Sequence, residues 1–230
     1  MTNGRGQPLH VAVLARVVYP LHGYGGLQRH VYDLVRCLLG RGVAVTLITQ
    51  PPFHDRPADA HADATFRHPR LSVIQMPYRT FPFAGRRGTT VIDRSTAYPV
   101  FGWRAGRVAA RLVARGAVDV VHGLGASALG YAMTRRKGSG PPFVFNPQGL
   151  EEFGATDPSR ARLKRIGYWP LQRAVLACAH AADRVIATDR ALVPMVRDHL
   201  RVPAAAVAVI PNAIELADYE TPEAPRRAAA

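Results

Sequence analysis

Lysine is almost absent from this 230-residue chain: Lys137 and Lys164 are the only two among thirty basic residues. A P-loop needs Gly-Lys-Ser/Thr, and neither lysine sits in that context, which excludes nucleotide binding of that kind. Cysteine is equally scarce. Cys37 and Cys178 both fall in predicted helices and offer neither a disulfide framework nor metal-ligand spacing, so a reducing cytoplasm is expected. No apolar run approaches the roughly 20 residues that span a bilayer. Met1 to Gln7 is polar and glycine-rich, without the apolar stretch of a secretory signal. Acidic residues number 16, leaving a formal net charge of +14. Nearly all of that charge is arginine in an alanine-rich chain. It reads either as a compositional bias or as a footprint for an anionic partner.

What is present is alternation. Strand-like apolar runs lie at Leu9–Ala15, Val43–Thr49, Leu71–Met76, Val118–His122, Phe143–Asn146, Arg184–Ala187 and Val207–Ile210, with helical patterns at about 27–40, 94–115, 126–137, 159–181 and 189–200. Runs with little polar alternation predict strands covered on both faces. The expected fold is therefore α/β: one Rossmann-like, doubly wound, mostly parallel sheet of about seven strands flanked by helices. Residues 1–8 read as a disordered N-terminus, 9–212 as the domain, and 213–230 as a linker or tail. In such sheets ligands bind beyond the carboxyl ends of the strands. That places the loops at 16–26, 77–93, 122–126 and 146–155 around one cleft.

The most informative stretch is Gly23-Tyr-Gly-Gly-Leu-Gln-Arg-His-Val31, between the first strand and the first helix. A helix start exposes unpaired N–H groups and the positive end of its dipole. Glycine lets an anion approach that backbone closely. Gly25 and Gly26 are accordingly candidates for phosphate binding, the alternative being a tight turn with no ligand. A dinucleotide fingerprint does not fit. Gln28 stands where its third glycine belongs, and the second strand ends in Thr49-Gln50-Pro51 with no carboxylate for a ribose.

Six fragments, in this order and spacing, resemble the N-terminal half of a family 4 retaining glycosyltransferase of GT-B fold. They are Gly25-Gly26-Leu27-Gln28-Arg29-His30-Val31, Arg41-Gly42-Val43-Ala44-Val45, Asp119-Val120-Val121-His122-Gly123, Asn146-Pro147-Gln148-Gly149-Leu150-Glu151, Ala182-Asp183-Arg184-Val185-Ile186-Ala187 and Val209-Ile210-Pro211-Asn212. The resemblance spans about residues 9–214. It implies two Rossmann-like domains facing each other, the N-terminal one holding the acceptor and the C-terminal one gripping a nucleotide sugar. The expectation is that this chain is the acceptor-side domain, that the donor domain lies outside it or is separately encoded, and that it is inactive alone. No cofactor or metal is expected, only a nucleotide-sugar co-substrate.

The resemblance puts Gly25 and Gly26 near the donor diphosphate and Gln28 where many relatives carry Glu. His122 is the one retained histidine of an Asp-x-x-His-x-His pattern, because Leu124 replaces the second. Either His122 supplies the lost role by a local shift, as the candidate catalytic residue, or the site differs in this branch. Gln148 occupies a position that is often His, and its amide can donate to and accept from hydroxyls. Glu151 and Glu152 read either as ligands for acceptor hydroxyls or as a solvated pair at the next helix start.

Arginines interleave with aromatics at Arg79, Phe81, Phe83, Arg86, Arg87 and Trp103, and the helix beyond carries Arg104, Arg107, Arg111 and Arg115. The theme returns at Arg160, Arg162, Lys164, Arg165 and Trp169. Such a surface suits an anionic membrane interface, peripheral on the inner face, or is simply a solvated face. No recognition-helix or zinc-finger pattern accompanies it, which ranks a membrane ahead of nucleic acid. The competing function is a non-catalytic Arg-rich module that binds an anionic membrane or a partner subunit.

Overall fold

Along the first strand, β1 (His10–Leu14), Val11 and Val13 pack to one side while Ala12 and Leu14 pack to the other, and all four are buried. A strand covered on both faces belongs inside a parallel sheet. β1 pairs in parallel with β2 (Ala44–Thr49) on one side and β4 (Val120–Leu124) on the other. With β3 (Leu71–Gln75), β5 (Phe143–Asn146), β6 (Arg184–Ala187) and β7 (Val207–Val209), the order is β3-β2-β1-β4-β5-β6-β7, every pairing parallel. The chain winds outward from β1 to β3, then crosses back to β4. The order therefore reverses between β1 and β4, the place where a doubly wound sheet opens a crevice. The computed structural model describes residues 2–4, 6–52, 64–80, 89–148, 150–153 and 166–212.

Five α-helices are described: α1 (Gly26–Gly40), α2 (Thr90–Ala114), α3 (Leu129–Thr134), α4 (Trp169–Ala181) and α5 (Val193–Leu200). On α1, Val31, Val35 and Leu39 follow helical spacing and are buried against Val13, Val45 and Leu47 on one face of the sheet. The opposite face is covered by α2, α3 and α4, where Phe101, Ala105, Ala109, Tyr131 and Leu171 meet Leu14, Val121, Phe143 and Phe145. The contact between α2 and α3 is backbone to backbone. A Cβ on Gly102 would meet the Ala126 carbonyl, one on Gly106 the Tyr131 amide, and one on Gly130 the Trp103 carbonyl. Small residues are what permit that approach.

The sequence expectation of an α/β fold with a mostly parallel sheet of about seven strands holds, with local corrections. β4 runs two residues further than Val118–His122, because Gly123 and Leu124 continue the ladder opposite Phe145 and Asn146. The pattern at 126–137 is a 3₁₀ turn, Gly125–Ala128, followed by the short α3. The pattern at 189–200 divides in the same way into Arg190–Leu192 and α5. Of the predicted helix at 159–181, residues 159–165 lie outside the described residues, as does the predicted tail at 213–230. Near the N-terminus, Asn3 Nδ2 donates to both carboxylate oxygens of Asp119 at 3.1 and 3.2 Å. Asp119 Oδ2 also accepts the His10 N–H at 2.9 Å, as Asp183 Oδ2 accepts the Phe143 N–H at 2.8 Å. Both aspartates of the family-like fragments thus satisfy strand-start amides that would otherwise be orphaned.

Candidate functional site

The crevice at the carboxyl ends of the strands holds a cleft of about 260 Å³. Arg16 lines it from the β1–α1 connection, Leu27 from the first turn of α1, Arg94 and Tyr98 from α2, Gly125 and Ala126 from the turn after β4, and Pro147, Gln148, Leu150, Glu151 and Glu152 from the segment after β5. Of the four loops expected around a cleft, those at 16–26, 122–126 and 146–155 line it; the described residues of 77–93 do not, and α2 contributes Arg94 and Tyr98 just beyond that loop. The β1–α1 connection is fixed by a histidine that sequence reasoning did not single out. His22 is 1% exposed, and its Nδ1 accepts the Val18 N–H at 3.0 Å. That assigns the proton to Nε2, which donates to the Gln50 carbonyl at 3.0 Å. Burial lowers the pKa of His22, favouring this neutral form. Nothing in the sequence pattern distinguishes such a clamp from a surface histidine.

Gly25 is the N-cap of α1, in extended conformation, and no side chain caps the helix. Its first turn contains no acidic residue. A Cβ on Gly26 would meet nothing within 4 Å, so the start of the helix is open to a ligand. Gln28 turns back onto the connection: a Cβ on Gly25 would lie 2.6 Å from its Oε1, and its Nε2 donates to the His22 carbonyl at 3.4 Å. Gln28 is not among the cleft-lining residues; Leu27 is.

Gln148, Glu151 and Glu152 do come together in the cleft. Gln148 and Leu150 hold positive φ, 67° and 53°, which L-residues rarely adopt. The Gln148 N–H donates to Asn146 Oδ1 at 3.0 Å, and Leu150, 2% exposed, anchors in the core. Two such residues, at about 1–3 kcal/mol of strain each, mark a segment held in shape by its surroundings. Glu151 pairs with Arg94 at 3.0 Å, and the Arg94 guanidinium lies over the Tyr168 ring. Glu152 is 5% exposed, and burial raises its carboxyl pKa.

His122 lies within β4, opposite Val13 and Val144. Its strand neighbours Val120 and Leu124 pack in the α1-side core, so its side chain faces α1. There it is buried with His30, and its Nε2 has no hydrogen-bond partner. Burial, reinforced by the His30 charge, lowers its pKa to about 4, so it is neutral at physiological pH. His30 Nε2 lies 3.4 Å from Asn146 Nδ2, which joins the histidine pair to the strained segment. Leu124 is 1% exposed, a core residue, and its carbonyl accepts from Tyr98 Oη at 3.1 Å. Among the described residues, no group of three His, Cys, Asp or Glu side chains could hold a metal ion. No described helix is long and apolar enough to cross a membrane. Arg79 and Trp103 are exposed; Phe81, Phe83, Arg86 and Arg87 lie outside the described residues.

Sheet order, glycine-started helix and polar cleft define the class: a Rossmann-like α/β domain with its cleft at the strand ends. The model of Glycosyltransferase Family 4 matches residues 24–218. The chain belongs to that family, and glycosyl transfer is its general chemistry. Among solved structures it is similar to a sucrose-phosphate synthase from Thermosynechococcus elongatus, at 15% identity over 89% of this chain and 88% of that one, TM-score 0.45. It is also similar to Arabidopsis thaliana UGT89C1 complexed with UDP-L-rhamnose, at 13% identity over 88% of this chain and 48% of that one, TM-score 0.49. The chain thus spans about half the length of the Arabidopsis protein. No curated protein sequence matches it.

Proposed function

We propose that this chain is the acceptor-side domain of a retaining glycosyltransferase that moves a hexosyl group from a nucleotide sugar to a hydroxyl acceptor. The observation that carries the reading is the uncapped start of α1 at Gly25–Gly26 beside a polar cleft at the sheet's switch point. Backbone N–H groups there would neutralise the departing diphosphate, sharing the charge with cations of a second, donor-binding domain in a longer chain or a separate subunit. Gln148, Glu151 and Glu152 would position acceptor hydroxyls. Gln28 would hold the connection that presents Gly25 and Gly26. His122, neutral and with a free Nε2, would act on the sugar only if α1 shifts to expose it. The scheme uses no metal. The 230 residues by themselves are expected to turn over no nucleotide sugar.

The test is Gly26→Asp. Its φ is not positive and the space is open, so the carboxylate is accommodated and interacts favourably with the helix dipole. Unfolding temperature should hold or rise, while binding of inorganic pyrophosphate, read by calorimetry, falls tenfold or more. Unaltered pyrophosphate affinity would refute the diphosphate assignment.

A second reading, docking on an anionic membrane, is favoured by the outer face of α2. Ile92, Val100 and Trp103 are exposed and continue into exposed Arg104, Arg107 and Arg111, with the Arg107 guanidinium 5.7 Å from the Trp103 ring centre. Trp169, 61% exposed beside Arg173, adds a second aromatic–arginine pair. Flotation with vesicles containing anionic lipid tests it: binding that weakens with salt and with Trp103→Ala supports docking, and no flotation removes it.

A further inference from the structure

Among the described residues, each charged side chain lining the cleft is accounted for except one. Arg94 is paired with Glu151. Glu152 is buried, and burial favours its uncharged form. Arg16 remains. Its guanidinium lies between two rings, 5.3 Å from the centre of Tyr78 and 5.2 Å from that of Tyr98. Neither ring hydroxyl is hydrogen-bonded to it, and both hydroxyl protons point elsewhere. Tyr78 Oη donates to Asp93 Oδ2 at 2.8 Å, and Tyr98 Oη donates to the Leu124 carbonyl and meets Ser127 Oγ at 3.2 Å. Arg16 Nε is buried with no hydrogen-bond partner, and no ion pair to Arg16 forms among the described residues. The Arg16 carbonyl, by contrast, is anchored: it accepts from Thr49 Oγ1 at 3.1 Å and from the Gln50 N–H at 3.3 Å. The side chain is thus held in a fixed place, desolvated in part, and lines the cleft without an anion.

We propose that Arg16 receives an oxyanion carried by the acceptor, a phosphate monoester on a monosaccharide-sized molecule; this deepens, and rests on, the reading of the cleft as an acceptor site. A planar guanidinium stacked on aromatic faces keeps its N–H edge for a planar or tetrahedral oxyanion, and such charge-assisted hydrogen bonds are the stronger kind. The volume of about 260 Å³ suits a ligand below the usual drug-sized range. A free anion at Arg16 and the diphosphate at α1 are distinct demands: the first uses a side chain on the cleft wall, the second the backbone of Gly25 and Gly26.

The experiment titrates the 230-residue chain with a hexose 6-phosphate, with inorganic phosphate and with inorganic pyrophosphate, following calorimetry and the arginine Nε–H resonances. Expected is saturable hexose 6-phosphate binding that shifts the Arg16 resonance, falls at least tenfold in Arg16→Met and returns in part in Arg16→Lys, while pyrophosphate affinity holds within about twofold. The resonance shift in the unsubstituted chain keeps the test valid if Arg16→Met does not fold. Unchanged hexose phosphate affinity in a folded Arg16→Met, or no binding and no shift in the unsubstituted chain, overturns the proposal. So does an equal loss of pyrophosphate binding, which would assign Arg16 to the donor diphosphate. Failure of Gly26→Asp to weaken pyrophosphate would sink the diphosphate reading and leave this one standing.

Discussion

Acid should weaken this fold through one histidine in particular. His122 is buried in the sheet with its Nε2 unpaired, and burial lowers its pKa to about 4 from an ordinary value of about 6.5. A histidine with a depressed folded-state pKa stabilises the native state above its unfolded pKa. The stability is lost as pH falls from there through the folded value, because the unfolded chain takes up the proton first. At about 1.4 kcal/mol per pKa unit, the loss from His122 alone is about 2 kcal/mol between pH 7 and pH 5, and about 3 kcal/mol by pH 4. A domain has only about 5–15 kcal/mol in total.

The perturbation is His122→Leu. Leucine fits an apolar strand position, removes the titrating group and leaves no acceptor unsatisfied, so the change at pH 7 should stay within about 1.5 kcal/mol. The assay is urea unfolding by far-ultraviolet circular dichroism at pH 7, 6 and 5 for both proteins. His10, His22 and His30 also have lowered pKa values through burial, and the chain carries a net charge of +14. These contributions are common to both proteins and cancel in the difference between them. His30 is the exception, since its charge acts directly on His122. Removing His122 frees His30 to protonate more easily, which flattens the variant further. The expected result is that His122→Leu loses about 2 kcal/mol less than the parent on going from pH 7 to pH 5. Parallel pH profiles would refute a buried, neutral His122.

Three further outcomes are expected. Glu152 has a raised carboxyl pKa through burial, so its contribution is full below the unfolded value of 4.5 and is lost as pH rises through the folded value; Glu152→Gln should therefore be relatively more stable at pH 7 than at pH 4, measured by the same unfolding series. Gly106→Ala sets a methyl against the Tyr131 and Gly130 backbone, which cannot step aside; overpacking of about 1–3 kcal/mol should lower the melting temperature by about 2–4 °C per kcal/mol in scanning calorimetry. Glu151→Gln breaks the pair between Arg94 and the 57% exposed Glu151 side chain; stability should change by less than about 1 kcal/mol, while affinity for the acceptor drops.

The fold was legible because its signal is periodic. Buried parallel strands are short apolar runs, and α1 announces itself by Val31, Val35 and Leu39 at helical spacing. Errors fell where the ladder and the sequence pattern part company. Gly123 looks like a strand end, yet its missing side chain is what lets β4 continue, since a Cβ there would press on Ala128 and Phe143. That continuation explains Leu124. As a loop residue it would be a missing ligand; as the last residue of β4 it is core.

The site was legible only where chain neighbours build it. Gln148, Glu151 and Glu152 could be placed in the cleft lining, and Gly25 and Gly26 at the start of the helix whose Leu27 lines it, because a turn after a strand fixes where each goes. Arg16 could not. Its meaning depends on Tyr78 and Tyr98, more than sixty residues away, whose rings enclose it while their hydroxyls donate to Asp93 and Leu124. His22 and His30 escaped for the same reason: their partners are the Gln50 carbonyl and Asn146, distant in sequence and close only across the sheet. Acquiring these partners also restricts change. The β1–α1 connection is held at His22, at Arg16 and at Gln28, so the uncapped end of α1 is rigid before any ligand arrives. A helix start fixed in that way loses little entropy on binding an anion, and that preorganisation is what the proposed diphosphate site requires.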